Sequence, residues 1–179
     1  MHDLQAPLRP VLDALGITPE ILGRRGLPFH PVATELVVAE TDAQGRAFLL
    51  TPETARAWSA MKQAAHEDGV VIEIVSSFRD IARQAEIIRT KLERGLDIDR
   101  ILTLSAPPGY SEHHSGRALD INTPGCEPTE EPFEHTAAFA WLVAHSGRFG
   151  FTLSYPRNNA FGFIYEPWHW CYQPSGAPA

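Results

Sequence analysis

The chain of 179 residues is poor in cysteine, in long apolar runs and in positive charge. Its two cysteines, Cys126 and Cys171, are too few for a Cys-rich metal module or a disulfide scaffold. One bridge between them, or two reduced thiols, both stay open. The longest unbroken apolar run is Ala137–Ala144, far short of the ~20 residues that span a bilayer. Met1 to Gln5 offers no basic stretch followed by an apolar one, so no secretory signal is visible. That favours the cytoplasm, while a trimmed chain would be compatible with the periplasm. Lys and Arg number 15 against 22 Asp and Glu, a net charge of −7, which argues against a nucleic-acid partner. Neither an internal repeat nor a low-complexity segment occurs. With 44% hydrophobic and 21% charged residues, what remains is a soluble chain with one real core, expected to be a monomer. The 13 Gly and 15 Pro predict long ordered loops between short elements.

Histidine, by contrast, is plentiful: there are eight. Their placement has to be read against the elements. Residues 1–30, rich in Pro and Gly, read as an N-terminal extension with a short helix near Pro7–Leu15, and 31–179 as a single domain. Thr34–Ala39 and Ala47–Leu50 read as strands across the turn Asp42–Arg46. Thr51 as N-cap, Pro52 at the first helical position and Glu53 at the positive end of the dipole predict a helix. Ala55, Trp58, Met61 and Ala65 form its apolar stripe and Gly69 stops it. Val70–Ser76 reads as a buried strand. Asp80 caps a helix with Ile81, Ala85, Ile88 and Leu92 on one face, ending at Gly95, and Leu96–Leu104 adds a short helix.

Arg117–Asn122 reads as a strand with Leu119 and Ile121 towards a core and Ala118, Asp120 and Asn122 on the other face. An acidic loop, Thr123–His135, follows. Thr136–Ser146 is a predicted helix with Phe139, Leu142 and Val143 inward. Phe151–Tyr155, Phe163–Tyr165 and Trp168–Tyr172 are predicted strands. Strands and helices do not alternate in βαβ units, so the fold class is α+β, a mainly antiparallel sheet flanked by helices.

Chemistry concentrates in Ser111-Glu112-His113-His114-Ser115-Gly116-Arg117-Ala118-Leu119-Asp120 and in Glu166-Pro167-Trp168-His169. A catalytic zinc takes three N or O ligands and keeps one position open, and His113, Asp120 and His169 supply that set. Water beside such an ion becomes acidic enough to attack near neutral pH. His113 and Asp120 would face opposite sides of a straight strand, so the backbone must break between them, and Gly116 permits it. Pro167 pushes Glu166 towards an extended conformation, which places it at a turn into the last strand. There His169 faces the cleft, Trp168 and Trp170 face the core, and Glu166 is free to act as general base and acid.

These residues carry a resemblance. Ser-x-His-x-x-Gly-x-Ala-x-Asp followed by Glu-x-Trp-His is similar to the zinc D-alanyl-D-alanine peptidases of the VanY and VanX type, closer to the carboxypeptidase branch. Their fold also occurs in the hedgehog signalling domain. Ser77-Phe78-Arg79 and then Gln84 resemble the Ser-Gly-Tyr-Arg…Gln element upstream of the site, and the order holds from about Glu73 to Tyr172. The resemblance implies one Zn2+ on His113, Asp120 and His169, Glu166 as catalytic base, and Arg79 at the developing oxyanion, where a fixed guanidinium is worth several kcal/mol. It implies that Ser111, Gln84 and Tyr155 line the substrate site. The implied activity is hydrolysis of the terminal D-Ala-D-Ala bond of peptidoglycan stem peptides. A D-Ala-D-Ala dipeptidase, an L-Ala-D-Glu endopeptidase and a non-catalytic zinc-binding module are the alternatives. Relatives often carry Arg-Tyr-Pro where this chain has Ser154-Tyr155-Pro156, with Arg157 one position beyond. His114 is expected to point away from His113, supporting the site or facing solvent. His135 and His145 read as cap or surface residues, and His2, His30 and His66 show no partner pattern.

Overall fold

The computed structural model describes residues 8–173; the expectations for Pro7 and His2 fall outside them. Six helices and six strands follow in the order α1 (Arg9–Ala14), α2 (Pro19–Arg25), β1 (Val37–Thr41), β2 (Ala47–Leu50), α3 (Pro52–Glu67), β3 (Glu73–Ser76), α4 (Ile81–Glu93), α5 (Ile98–Leu104), β4 (Ala118–Asn122), α6 (Ala137–His145), β5 (Phe151–Leu153) and β6 (His169–Tyr172). Among the described residues no helix is long and apolar enough to cross a membrane.

Thr51 and Asp80 act as the N-caps the sequence predicts, and Asp97 and Thr136 do the same for α5 and α6. Thr51, Asp80, Asp97 and Thr136 each accept a hydrogen bond from the backbone N–H three residues on, which satisfies a donor the helix itself leaves unpaired. Gly69 ends α3 at φ +76°, a conformation that glycine adopts without strain.

All strand pairs are antiparallel. β1 and β2 form a ribbon, and the main sheet runs β3-β4-β6-β5. Register decides what each face does. Leu119 pairs with Trp170, and Asp120 pairs with His169. Because side chains alternate, these two neighbouring pairs point to opposite faces. One face carries Ile74, Leu119, Ile121 and Trp170 into the main core, against Trp58, Met61 and Ala65 of α3 and Trp141 and Leu142 of α6. The other face presents Asp120 and His169. β4 is buried along its whole length, Asp120 and Asn122 included.

Leu12 of α1, the flanking Leu8, Leu15 and Ile17, and the partly buried Ile21 and Leu22 of α2 form a second cluster with Ala85, Ile88, Ile101 and Leu102 of α4 and α5. The segment after α2 then runs beneath the Tyr110–Gly116 region: His30 N donates to Gly109 O (2.8 Å), Ala33 N to His114 O (2.8 Å) and Thr51 N to Gly116 O (2.9 Å).

Two expectations are corrected. Val143 lies on the outer face of α6 and is 61% exposed, while the expected Phe139 and Leu142 do turn to the core, joined by Ala138 and Trp141. Phe163–Tyr165 is not a strand. The Asn159 side chain takes the backbone groups a ladder would need: its Nδ2 donates to Phe163 O (2.8 Å) and its Oδ1 accepts from Phe161 N and Phe163 N (both 3.2 Å).

Candidate active site

His113 comes from a 3-10 turn, Glu112–Ser115, that Gly116 ends at φ +64°. A Cβ on Gly116 would lie 2.9 Å from Leu36 Cδ2 and 3.1 Å from Thr51 Cγ2, so the break between His113 and Asp120 needs glycine for both conformation and space. The turn brings His113 back over β4. His113 Nε2 then lies 3.3 Å from Asp120 Oδ1, and His169 Nδ1 lies 3.0 Å from the same oxygen. The three residues are buried, and each offers one ligand atom within 4.8 Å of the others.

Each imidazole is oriented from behind. His113 Nδ1 donates to Ser77 O at 2.7 Å. His169 Nε2 donates to Glu112 Oε2 at 2.8 Å. In His113 the far nitrogen therefore holds the proton and the near nitrogen turns a lone pair to the centre, whereas His169 faces a carboxylate through each nitrogen and is the cationic partner of Asp120 in the metal-free chain, its Nδ1 proton being the one a metal would displace. His113 Nε2 is buried and makes no hydrogen bond. Burial first, and the Arg79 charge second, push His113 down to about 4, so it stays a neutral donor. Burial would pull His169 down, but its bonds to Asp120 and Glu112 outweigh that and lift it to about 10. Those carboxylates pay burial themselves and are nevertheless held ionised, Glu112 at about 2 and Asp120 well below the usual range. An orphaned imidazole lone pair, a second imidazole and an ionised carboxylate, converging in a buried pocket, fit a zinc ion.

Glu166 sits at the turn before β6: His169 N donates to Glu166 O (3.1 Å), and the Glu166 carboxylate lies 3.9 Å from His169 Nδ1. Burial raises its carboxyl to about 7, with the neighbouring Asp120 charge adding to the rise and His169 and Arg79 opposing it. Arg79 stands across from it. Its Nη1 donates to Gln84 Oε1 (3.2 Å), its Nη2 lies 3.8 Å from Asp120 Oδ2, and its Nε is buried without a partner. Gln84 is fixed in turn by donating to Ala106 O at 2.7 Å. Tyr155 stacks on His169 at 4.7 Å between ring centroids. Burial raises its phenol, which stays a neutral hydroxyl. Ser111 is buried and lines a cavity of about 40 Å³ with Arg79, Gln84, Tyr155 and Glu166. A larger cavity of about 420 Å³ adjoins it and shares Arg79, Ser105 and Glu166.

All eight residues singled out in the sequence thus converge: His113, Asp120, His169, Glu166, Arg79, Gln84, Ser111 and Tyr155. Glu112 was not singled out. Its neighbour His113 would point the opposite way on a strand, and only the 3-10 turn puts both side chains on the site. His114, which precedes the glycine break, is fully buried. Its Nδ1 donates to Arg79 O (2.6 Å) and its Nε2 accepts from Gly109 N (3.0 Å), so it braces the arginine's backbone. His30 and His145 are half-buried, while His66 and His135 are exposed. Cys126 and Cys171 are both free.

Arg157 points away from the centre. It pairs with Glu134 (2.8 Å) and Glu131 (3.4 Å) and lies over the Tyr165 ring at 4.1 Å. It thereby ties down the acidic loop, whose Thr129, Glu130 and Glu131 line the larger cavity.

Comparison with known proteins agrees with this geometry. A D-alanyl-D-alanine carboxypeptidase of Enterococcus faecalis is 34% identical over 119 residues, 61% of this chain and 42% of that protein. The chain spans less than half the length of the curated relatives it matches. The solved structure of the LdcB LD-carboxypeptidase matches with a TM-score of 0.71 and 29% identity, covering 81% of this chain and 71% of that one. The D,D-pentapeptidase VanY of a VanB-type vancomycin-resistance cassette, solved with Zn(II), matches with a TM-score of 0.60 and 27% identity, covering 83% and 87%. The family model for VanY, D-alanyl-D-alanine carboxypeptidase, matches residues 47–175, and with the His-Asp-His centre in place the chain belongs to that family.

Proposed function

We propose that the chain is a zinc-dependent carboxypeptidase that removes the terminal D-Ala from peptidoglycan stem peptides. The observation that carries this reading is the buried Glu166 carboxyl, raised to about 7 and lining both cavities beside a His-Asp-His centre. A structural metal site has no use for such a base. Zinc, when bound, supplies Lewis acidity towards a carbonyl and a water. Glu166 accepts a proton from the attacking water and returns it to the leaving amine. Arg79, oriented by Gln84 and braced by His114, faces the oxygen on which negative charge develops. The small cavity beside Ser111 and Tyr155 is the proposed seat of the departing residue, which would displace its water. The relationship to VanY, one of whose relatives was solved as VanYB in complex with D-Alanine-D-Alanine, supports a D-Ala-D-Ala terminus.

The likeness to LdcB favours a second reading, in which the bond cut joins an L-centre to the terminal D-Ala. A mass-spectrometric product assay on tetra- and pentapeptides, with and without chelator, separates the two. Loss of D-Ala from the pentapeptide alone supports the first, and loss from the tetrapeptide alone the second. Glu166→Ala is expected to keep zinc and lose turnover; activity close to the parent would overturn the mechanism.

A further inference from the structure

The chain has two lysines, and they live differently. Lys62 pairs with Glu40 at 2.8 Å on the surface. Lys91 is half-buried, and its ammonium donates to Ser105 Oγ at 2.8 Å. Among the described residues no carboxylate lies within ion-pair distance of it. Burial lowers its affinity for a proton, and the Glu166 charge only partly restores it. A half-dehydrated ammonium with one neutral partner is a costly group to keep, and an incoming anion would satisfy it.

Its position says which anion. Gln84 and Lys91 lie seven residues apart on α4, two turns along one face. Gln84 lines the small cavity with Ser111, and Lys91 lines the large one with Asp120 and Trp168. Ser105, the partner of Lys91, lines both. Glu130 and Glu131 also line the large cavity, Glu131 already held by Arg157. With the small cavity as the proposed seat of the departing residue, the large one is left for the peptide upstream of the bond that is cut.

We infer that Lys91 receives a carboxylate of the substrate upstream of the scissile bond, making it a specificity residue for acidic stem peptides. This rests on the proposed peptidase reading. Stem peptides can carry such a carboxylate in two places: the free α-carboxylate of a γ-linked D-Glu, and the side-chain carboxylate of meso-diaminopimelate where other peptides have lysine.

The test uses the zinc-loaded full chain and four synthetic peptides with the terminus it cleaves, combining D-Glu or D-isoglutamine with meso-diaminopimelate or L-Lys. KM is expected to rise about tenfold when the recognised carboxylate is removed, with kcat nearly unchanged. Whichever pair shows the difference names the source. Lys91→Met should process all four at the weaker KM, and Lys91→Arg should restore the preference. Equal KM for all four peptides with the parent chain overturns the inference without help from any variant, as does a preference that survives in a folded Lys91→Met. Cleavage without discrimination leaves the peptidase reading standing, whereas no cleavage of any peptide overturns both.

Discussion

His113, Asp120 and His169 are held by bonds that stay within the sheet and its adjoining turns, whereas the cavity walls are held by segments from opposite ends of the chain. At the centre, Ser77 O and Glu112 Oε2 fix the two imidazoles, and strand register alone sets Asp120 opposite His169. At the walls, Tyr155 packs against Phe163 at 4.7 Å, and Phe163 is covered by Arg25 of α2, more than a hundred residues earlier. The centre has few ways to be wrong, because each ligand is over-determined by backbone geometry. The walls depend on long-range packing, which can be changed without disturbing the ligands. A division of this kind lets one metal chemistry serve several peptide specificities.

The largest effect should come from breaking the centre. His113→Ala removes a proposed ligand and is expected to abolish stoichiometric zinc and, with it, all turnover, read by metal analysis and the product assay. Its cost in affinity should far exceed the 10–100-fold typical of an outer partner.

Glu166→Gln sharpens the comparison from the other side, because it should spare the His-Asp-His centre while removing the proposed base. Turnover is expected to fall by about 10²–10⁴. Stability should move the opposite way. In the metal-free chain the Glu166 carboxyl rises from 4.5 to about 7 on folding. The folded state therefore binds more protons across that interval, and stability falls as pH rises through it and levels off above. Glutamine carries no charge to desolvate, so the metal-free variant should be the more stable at pH 8 by roughly 3 kcal/mol, with the gap closing towards pH 4.5. Thermal melts of both metal-free chains at pH 5 and pH 8 test this. An equal gap at both values would show that burial of Glu166 does not cost what its surroundings indicate.

Glu112→Gln asks whether the centre relies on a residue just outside it. The amide can still accept from His169 Nε2 but carries no charge, and a loss of 10–100-fold in zinc affinity is expected, with the fold intact. Unchanged zinc titration would reduce Glu112 to a packing residue.

The ease of reading the sequence follows the same division. Asp120 and His169 were legible because alternation on β4 and β6 leaves no other face for them once Leu119 and Trp170 enter the core. Gly116 was legible because only a glycine could turn the chain between two ligands that a strand would separate. The caps Thr51 and Asp80 were legible because each satisfies a helix end locally. Glu112 was not, since its direction depends on a 3-10 turn that no periodicity marks. The expected strand Phe163–Tyr165 failed because one side chain, Asn159, took its backbone partners. The β-rich composition of that segment carries no trace of a competing amide. The inward expectation for Val143 fails because α6 is apolar nearly all round, so its pattern names no unique buried face.

Arg25 offers the mildest break, and it falls wholly on the walls. Its Nη2 donates to Phe161 O at 2.8 Å, and its guanidinium lies 4.8 Å over the Phe163 ring. Leu27, just beyond it, packs against the cluster of Ala106, Tyr155 and Phe163. Arg25→Met keeps an apolar stem over the ring but removes the donor and the charge, a loss of about 1–2 kcal/mol shared between local stability and the set of the wall. The expected outcome is a few-fold fall in kcat/KM with zinc affinity unchanged, because no bond at the metal centre passes through residues 25–27. Arg24→Met is the matched control. Arg24 is exposed and 3.8 Å from Asp99, the kind of surface pair that contributes little. If the two variants behave alike, the long-range buttress has no catalytic consequence. If Arg25→Met also weakens zinc, wall and centre are coupled, and the division between them does not hold.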